Sequence, residues 1–245
     1  MASCANTDFL NQVKADVYVC NTKTYPADEK KTKLINIILE REGGYNLFDE
    51  SDVSGETYRG IDRKNGIKDT NFWRAVDAKV DECFAQNKNI VTYSGTHVTE
   101  EYKRKHGNRK VKDGTYFDND GEIKQMAINI YANKFYLPNG IDKIVNPMIA
   151  GHTLSQAAHY GAGGTAWLDP LVKAINAVCG VNLSSTGKIT QEMLNYVNSD
   201  KACDIANKYT EFRRERYAKS KQTQYIKGWL NMVNGWVKAV NRDFK

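Results

Sequence analysis

The sequence predicts a mainly α-helical protein with a polar surface insertion, and three observations lead there. Four prolines interrupt 245 residues. Apolar residues recur three and four apart through most of the chain, which is the period of one helix face. One stretch, from Asn87 to Gly121, is polar and lacks that period. With 41% hydrophobic and 26% charged residues, the chain has the makeup of a folded globular protein. Its length suits one large domain or two small ones sharing an interface.

From Asp28 to Glu42, Leu34, Ile35, Ile38 and Leu39 share a helix face; Asp28 is placed to cap this helix and Gly43-Gly44 to end it. A loop rich in Asp, Ser and Gly follows, from Tyr45 to Gly66. Phe72, Trp73, Val76, Val80 and Phe84 then mark a second amphipathic helix. The stretch 87–121 carries the basic run Lys103, Arg104, Lys105, Arg109, Lys110 and Lys112. It reads as a long surface insertion with at most a short hairpin or helix inside. A solvated charged loop accounts for it, and contact with an anionic polymer is the alternative.

Helical periodicity resumes with Ile123, Met126, Ala127, Ile130, Tyr131 and Phe135 and stops before Pro138. Further helices are expected from Met148 to Tyr160, Trp167 to Cys179, Thr190 to Val197, Ala202 to about Lys219, and about Tyr225 to Val240. On the last of these, Trp229 and Trp236 stand seven apart on an apolar stripe, where packing is favoured over stacking on a ligand. The chain divides into an N-terminal extension (1–25), a first region (26–137) holding the insertion, and a helical C-terminal region (138–245).

Composition removes several classes. No apolar run approaches the roughly 18 residues that span a bilayer. Met1 to Cys20 lacks both a basic leader and a continuous apolar stretch, so no secretory signal is expected. Five cysteines without CxxC spacing argue against a disulfide framework and for reduced thiols made in a cytoplasm. Four histidines form no HExxH pattern, so neither metal nor cofactor is expected. The net charge of +6 favours polyanionic partners. Nucleic acid is the weakest of these, because no reader motif is present. A monomer is expected.

The most informative segment is Glu42-Gly43-Gly44-Tyr45, followed by Asp52-Val53-Ser54-Gly55-Glu56-Thr57-Tyr58-Arg59-Gly60-Ile61. Glu42 lies seven residues after Ile35 and four after Ile38, and so continues the apolar stripe. Desolvation there, and the negative end of the helix dipole, both favour the protonated carboxyl. Glycosidic cleavage needs such an acid for the leaving oxygen. Glu40 falls on another face. The two glycines leave space for an extended polymer, and Asp52 or Thr57 could serve as electrostatic partner or orient a water. On residue type alone another reading stays open: a helix stop at Gly43-Gly44, with Asp52 and Thr57 as turn or cap residues.

The pattern resembles glycoside hydrolase family 108, the N-acetylmuramidases of phage and holin-linked secretion systems, in which Glu-Gly-Gly-Tyr precedes Asp-x-Gly-Gly-x-Thr-x-x-Gly-Ile. Residues 42–45 match without change, and Asp52, Gly55, Thr57, Gly60 and Ile61 match the second part. The resemblance implies a lysozyme-like helical fold and Glu42 as the catalytic residue. It also implies Asp52 and Thr57 as assisting residues, with Tyr45 and Tyr58 as substrate-binding neighbours. Ser54 replaces a usual glycine, the inter-motif loop is one residue longer, and no Asp-Pro precedes Asp52, so Asp49 competes for its role. The implied substrate is the peptidoglycan glycan strand, reached from the bacterial cytoplasm through a holin or another route.

A looser similarity, to the predicted peptidoglycan domain that follows this catalytic region, covers Ala157 to Gly161, Leu171 to Asn176, Gly180 to Asn182 and Gly187 to Leu194. It extends from Phe212-Arg213-Arg214 through Tyr217 to Gly228-Trp229-Leu230. His159-Tyr160-Gly161 and Thr186-Gly187 depart from its motifs, so no binding residues are carried over.

Overall fold

The computed structural model describes residues 10, 13, 15–20, 23–47, 56–63, 69–93, 100–118 and 121–245. The protein is mainly α-helical. It forms two compact units, one of residues 1–38 with 131–245 and one of residues 39–130. The division falls within two helices, α1 (Ala27–Arg41) and α4 (Glu122–Tyr131). Among the described residues, no helix is long and apolar enough to cross a membrane.

Helix α1 follows the predicted stripe, and Leu34, Ile35, Ile38 and Leu39 are all fully buried. Its start differs from expectation. The helix opens at Ala27, where the Pro26 carbonyl accepts the Lys30 N–H at 2.9 Å. Asp28 therefore lies in the first turn rather than at the cap. There its charge faces the positive end of the helix dipole and pairs with Lys31 at 2.7 Å.

The larger unit is built around α5 (Pro147–Tyr160), buried continuously from Pro147 to Ala157. Asn146 caps it by accepting from the amides of Met148 and Ile149. Helices α8 (Ala202–Ala218) and α9 (Ile226–Asp243) pack on α5 and on each other. Helices α6 (Asp169–Cys179) and α7 (Gln191–Val197) cover α8. Gly151 permits the closest approach in this core, because a Cβ there would meet Trp236 at 2.8 Å and Leu34 at 3.1 Å. Trp236 is fully buried, so its expected packing role holds. Trp229 is half-buried against Tyr217 and Tyr225.

The continuous burial of α5 from Pro147 to Ala157 brings polar groups inside, and His152 and Ser155 among them join one network. Arg213 of α8 is fully buried, and no carboxylate pairs with it among the described residues. Its guanidinium instead donates to His152 Nδ1 at 2.6 Å, Ser155 Oγ at 3.1 Å and the Tyr217 hydroxyl at 3.4 Å. The Thr210 hydroxyl donates to the Ala206 carbonyl, so it accepts from His152 Nε2–H at 2.9 Å. His152 is thereby fixed as the neutral Nε2–H tautomer. Burial, and then the adjacent Arg213 charge, hold its pKa well below the usual histidine value.

The N-terminal residues belong to the same unit, and here a cysteine expectation fails. Cys20 and Cys203 form a disulfide across 183 residues, with Cα atoms 5.6 Å apart. An odd cysteine count does not prevent one specific pair when the fold brings two thiols together; Cys83 and Cys179 are free. Earlier in the segment, Val13 packs among Tyr217, Ile226, Leu230 and Val233. The Tyr18 amide donates to Asn207, the Val19 amide to Asn241, and Arg214 to the Val13 carbonyl.

Two measurements follow. Purified protein should leave Cys20 and Cys203 unreactive to a thiol reagent until reduced, and Cys20→Ser should lose about 2–5 kcal/mol in urea unfolding. Full labelling without reductant would refute the bond. His152 stabilises the fold above the unfolded histidine pKa of about 6.5, and this contribution is lost as pH falls toward its lowered folded value. The thermal midpoint should therefore drop from pH 7 to pH 5, while ¹⁵N NMR shows a neutral His152 ring. A ring titrating near pH 6.5 in the folded protein would contradict the network.

Candidate active site

The smaller unit holds both sequence motifs. A three-stranded antiparallel sheet runs in the order β1 (Tyr45–Asn46), β2 (Thr57–Tyr58), β3 (Ile61–Asp62). Tyr45 pairs with Tyr58, and Asn46 with Thr57; across the other edge of β2, Thr57 pairs with Asp62 and Tyr58 with Ile61. Directly opposed residues share a face. One face is Tyr45, Tyr58 and Ile61, all buried. The other is the polar row Asn46, Thr57 and Asp62, all partly exposed.

Glu42 is the first residue past α1, half-buried, and three positions before the sheet begins. Its place one step beyond the last helical residue differs from the expected place inside the last turn. Glu40 is exposed. Gly43 turns the chain with a φ of 78°, and nothing lies within 4 Å of where its Cβ would be. Gly44 serves a different purpose. A Cβ there would meet the Thr115 carbonyl oxygen at 2.5 Å and that of Gly114 at 2.7 Å. The open side expected at the second glycine is filled by the chain's own backbone, and only the first leaves room.

Asp52, with its rival Asp49 and with Ser54 and Gly55, lies outside the described residues. Thr57 is described, on the outward face of the central strand. Tyr45 and Tyr58 correct the expectation of substrate binding, because both are fully buried. Their rings pack on Phe117, with centroids 5.3 and 5.1 Å away. The Tyr45 hydroxyl donates to Glu56 at 2.8 Å. Arg59 and Gly60, with φ of 52° and 74°, make the tight turn between β2 and β3, which explains a glycine at position 60. Arg59 is held in its left-handed conformation by donating to the Asp118 carbonyl at 3.0 Å and lying over the Tyr116 ring.

The predicted surface insertion is part of this construction. Strands β4 (Ile90–Thr92) and β5 (Arg109–Val111) pair antiparallel, with helix α3 (Glu100–His106) between them. Beyond β5, the Tyr45 amide donates to Thr115 O at 3.0 Å, and Gly114 N donates to Tyr45 O at 2.9 Å. Three of the six residues in its basic run are paired with carboxylates: Lys103 with Glu100, Lys105 with Asp81, and Lys110 with Asp113. Helix α2 (Thr70–Ala85), capped by Asp69, packs on β5.

Sequence reasoning missed Glu56, whose side chain is 17% exposed. Burial pushes its carboxyl above the usual range, against the opposing effects of Arg63 and the Tyr45 hydroxyl. It also missed Asn46 and Asp62 as neighbours of Thr57. The alternation on either side of Thr57 was the available signal, but two-residue strands give too short a period to read.

No family model matches the chain, and no curated protein matches it. Among solved structures the chain is similar to Brucella abortus SagA, at 21% identity and a TM-score of 0.47, over 87% of this chain and 95% of that one. A likeness at that level carries no inference about activity.

The two glycines should respond differently to alanine. Gly43→Ala meets only backbone strain, about 1 kcal/mol, whereas Gly44→Ala must displace the 114–115 backbone and should cost about 3 kcal/mol. Equal losses in urea unfolding would contradict the close approach at Gly44.

Proposed function

We propose that the chain is a lysozyme-like N-acetylmuramidase that hydrolyses the β-1,4 bond between N-acetylmuramic acid and N-acetylglucosamine in peptidoglycan. Glu42 is the general acid that protonates the leaving oxygen. The observation that supports the reading best is the pairing of the two motif segments. The chain leaving Glu42 enters strand β1 within three residues, and β1 pairs directly with the strand that carries Thr57. Family 108 resemblance supplies the roles, and this pairing gives them a shared scaffold. Gly43 keeps open space next to the acid. Thr57 stands in a polar row whose members could orient a water or a sugar hydroxyl. Asp52 is retained as the proposed carboxylate partner.

The basic charge suits an anionic cell-wall polymer.

Glu42→Gln should fold, bind sacculi and lose clearing activity by several orders of magnitude, roughly a thousandfold or more. Asp52→Asn and Thr57→Ala, assayed beside it, separate an assisted mechanism from a single-glutamate one. Mass spectrometry of released muropeptides should find reducing ends. Products with 1,6-anhydro ends would mean a lytic transglycosylase, and binding without cleavage by wild type would mean a non-catalytic wall-binding module. Near wild-type clearing by Glu42→Gln would refute the assignment.

A further inference from the structure

We infer that Glu56 is a positioning residue for the site, a half-buried clamp that holds the strand leaving Glu42 against the strand carrying Thr57. The inference rests on the muramidase reading for its catalytic consequence, but not for its geometry. Glu56 directly precedes Thr57, so its side chain points to the opposite face, toward Tyr45 and Tyr58. One carboxylate oxygen accepts the Tyr45 hydroxyl at 2.8 Å; the other lies 2.7 Å from Arg63 Nε. The Arg63 amide also donates to the Glu56 carbonyl at 3.0 Å. Arg63 in turn pairs with Asp77 of α2 and lies over the Trp73 ring at 4.3 Å.

Each partner stands on a different piece of the site. Tyr45 is on β1, three residues past Glu42; Arg63 follows β3; Asp77 and Trp73 are on α2. A single carboxylate thus fixes the spacing of β1 and β2 while α2 anchors the cation. Two-residue strands supply few ladder hydrogen bonds of their own, so side-chain links carry much of their alignment. A cavity of about 190 Å³ lies beside the clamp, with Tyr102 and His106 in its lining. Glu56 lines that cavity together with Tyr45, Arg63 and Asp77, but both its oxygens are engaged by Tyr45 and Arg63, which assigns it to alignment rather than to contact with substrate.

The test uses the full chain with Glu56→Gln, Tyr45→Phe and the double variant. Glutamine keeps the volume and removes the charge. Amide exchange over residues 42–47 and 57–63 should speed up about tenfold in each single variant and little further in the double, because both break the same link. On soluble glycan fragments, kcat should fall about 10- to 100-fold with KM within about twofold. Glu56→Asp, which keeps the charge, should recover part of the loss. Unchanged exchange in these segments overturns the clamp whatever the activity. A kcat loss in Glu56→Gln as deep as that of Glu42→Gln also overturns it, since Glu56 would then be catalytic. If wild type releases no muropeptides, the muramidase reading falls and exchange alone decides the clamp.

Discussion

The geometry of the smaller unit turns on one close approach, the Thr115 carbonyl lying where a side chain at position 44 would be. The chain must leave α1, change direction and enter a strand within three residues of Glu42. Gly43 supplies the turn. Gly44 lets the 114–115 backbone come near enough for Tyr45 to exchange hydrogen bonds with Thr115 and Gly114 on one side while pairing with Tyr58 on the other. Any side chain at position 44 pushes these apart. The short sheet, the aromatic packing on Phe117 and the reach of Arg59 to Asp118 all assume that contact.

The two units hold their arginines in different ways: Arg213 is fully buried and Arg63 half-buried. In the larger one, Arg213 is surrounded by neutral acceptors from α5 and α8, and the adjacent histidine is kept uncharged so that it can accept. In the smaller one, the Arg63 guanidinium sits between two carboxylates and an aromatic face. Both arrangements answer the large penalty for desolvating a guanidinium. The first ties helices together with hydrogen bonds alone. The second orients short strands, where direction matters more than bulk burial.

Much of the helical architecture was legible because a 3.6-residue period survives over ten or more residues; the stripes of α1 and α9 are examples. End residues shifted by one to three; at Asp28 the reason is that a first-turn acid and a capping acid look alike in sequence. Glu42 stood out by continuing the apolar stripe, while its role and that of Thr57 came from the family resemblance. Three features did not. Thr115 acts through its carbonyl, which every residue has, so its place beside Tyr45 left no compositional trace. Tyr45 and Tyr58 entered as substrate neighbours through the family resemblance, and two-residue strands are too short for the sequence to show that their side is buried. Cys20 and Cys203 are distant in sequence, and only the packed helices bring them together.

That covalent link also changes the mechanics of the chain. Joining position 20 to position 203 closes a ring that contains the whole of residues 39–130. Tension applied between the two ends of the molecule would run along the N-terminal segment, cross the sulfur–sulfur bond and leave through the last helices. It would not pass through the unit that holds Glu42. Load entering before position 20 and leaving after position 203 would be carried across the disulfide, with the backbone of residues 39–130 slack inside the ring.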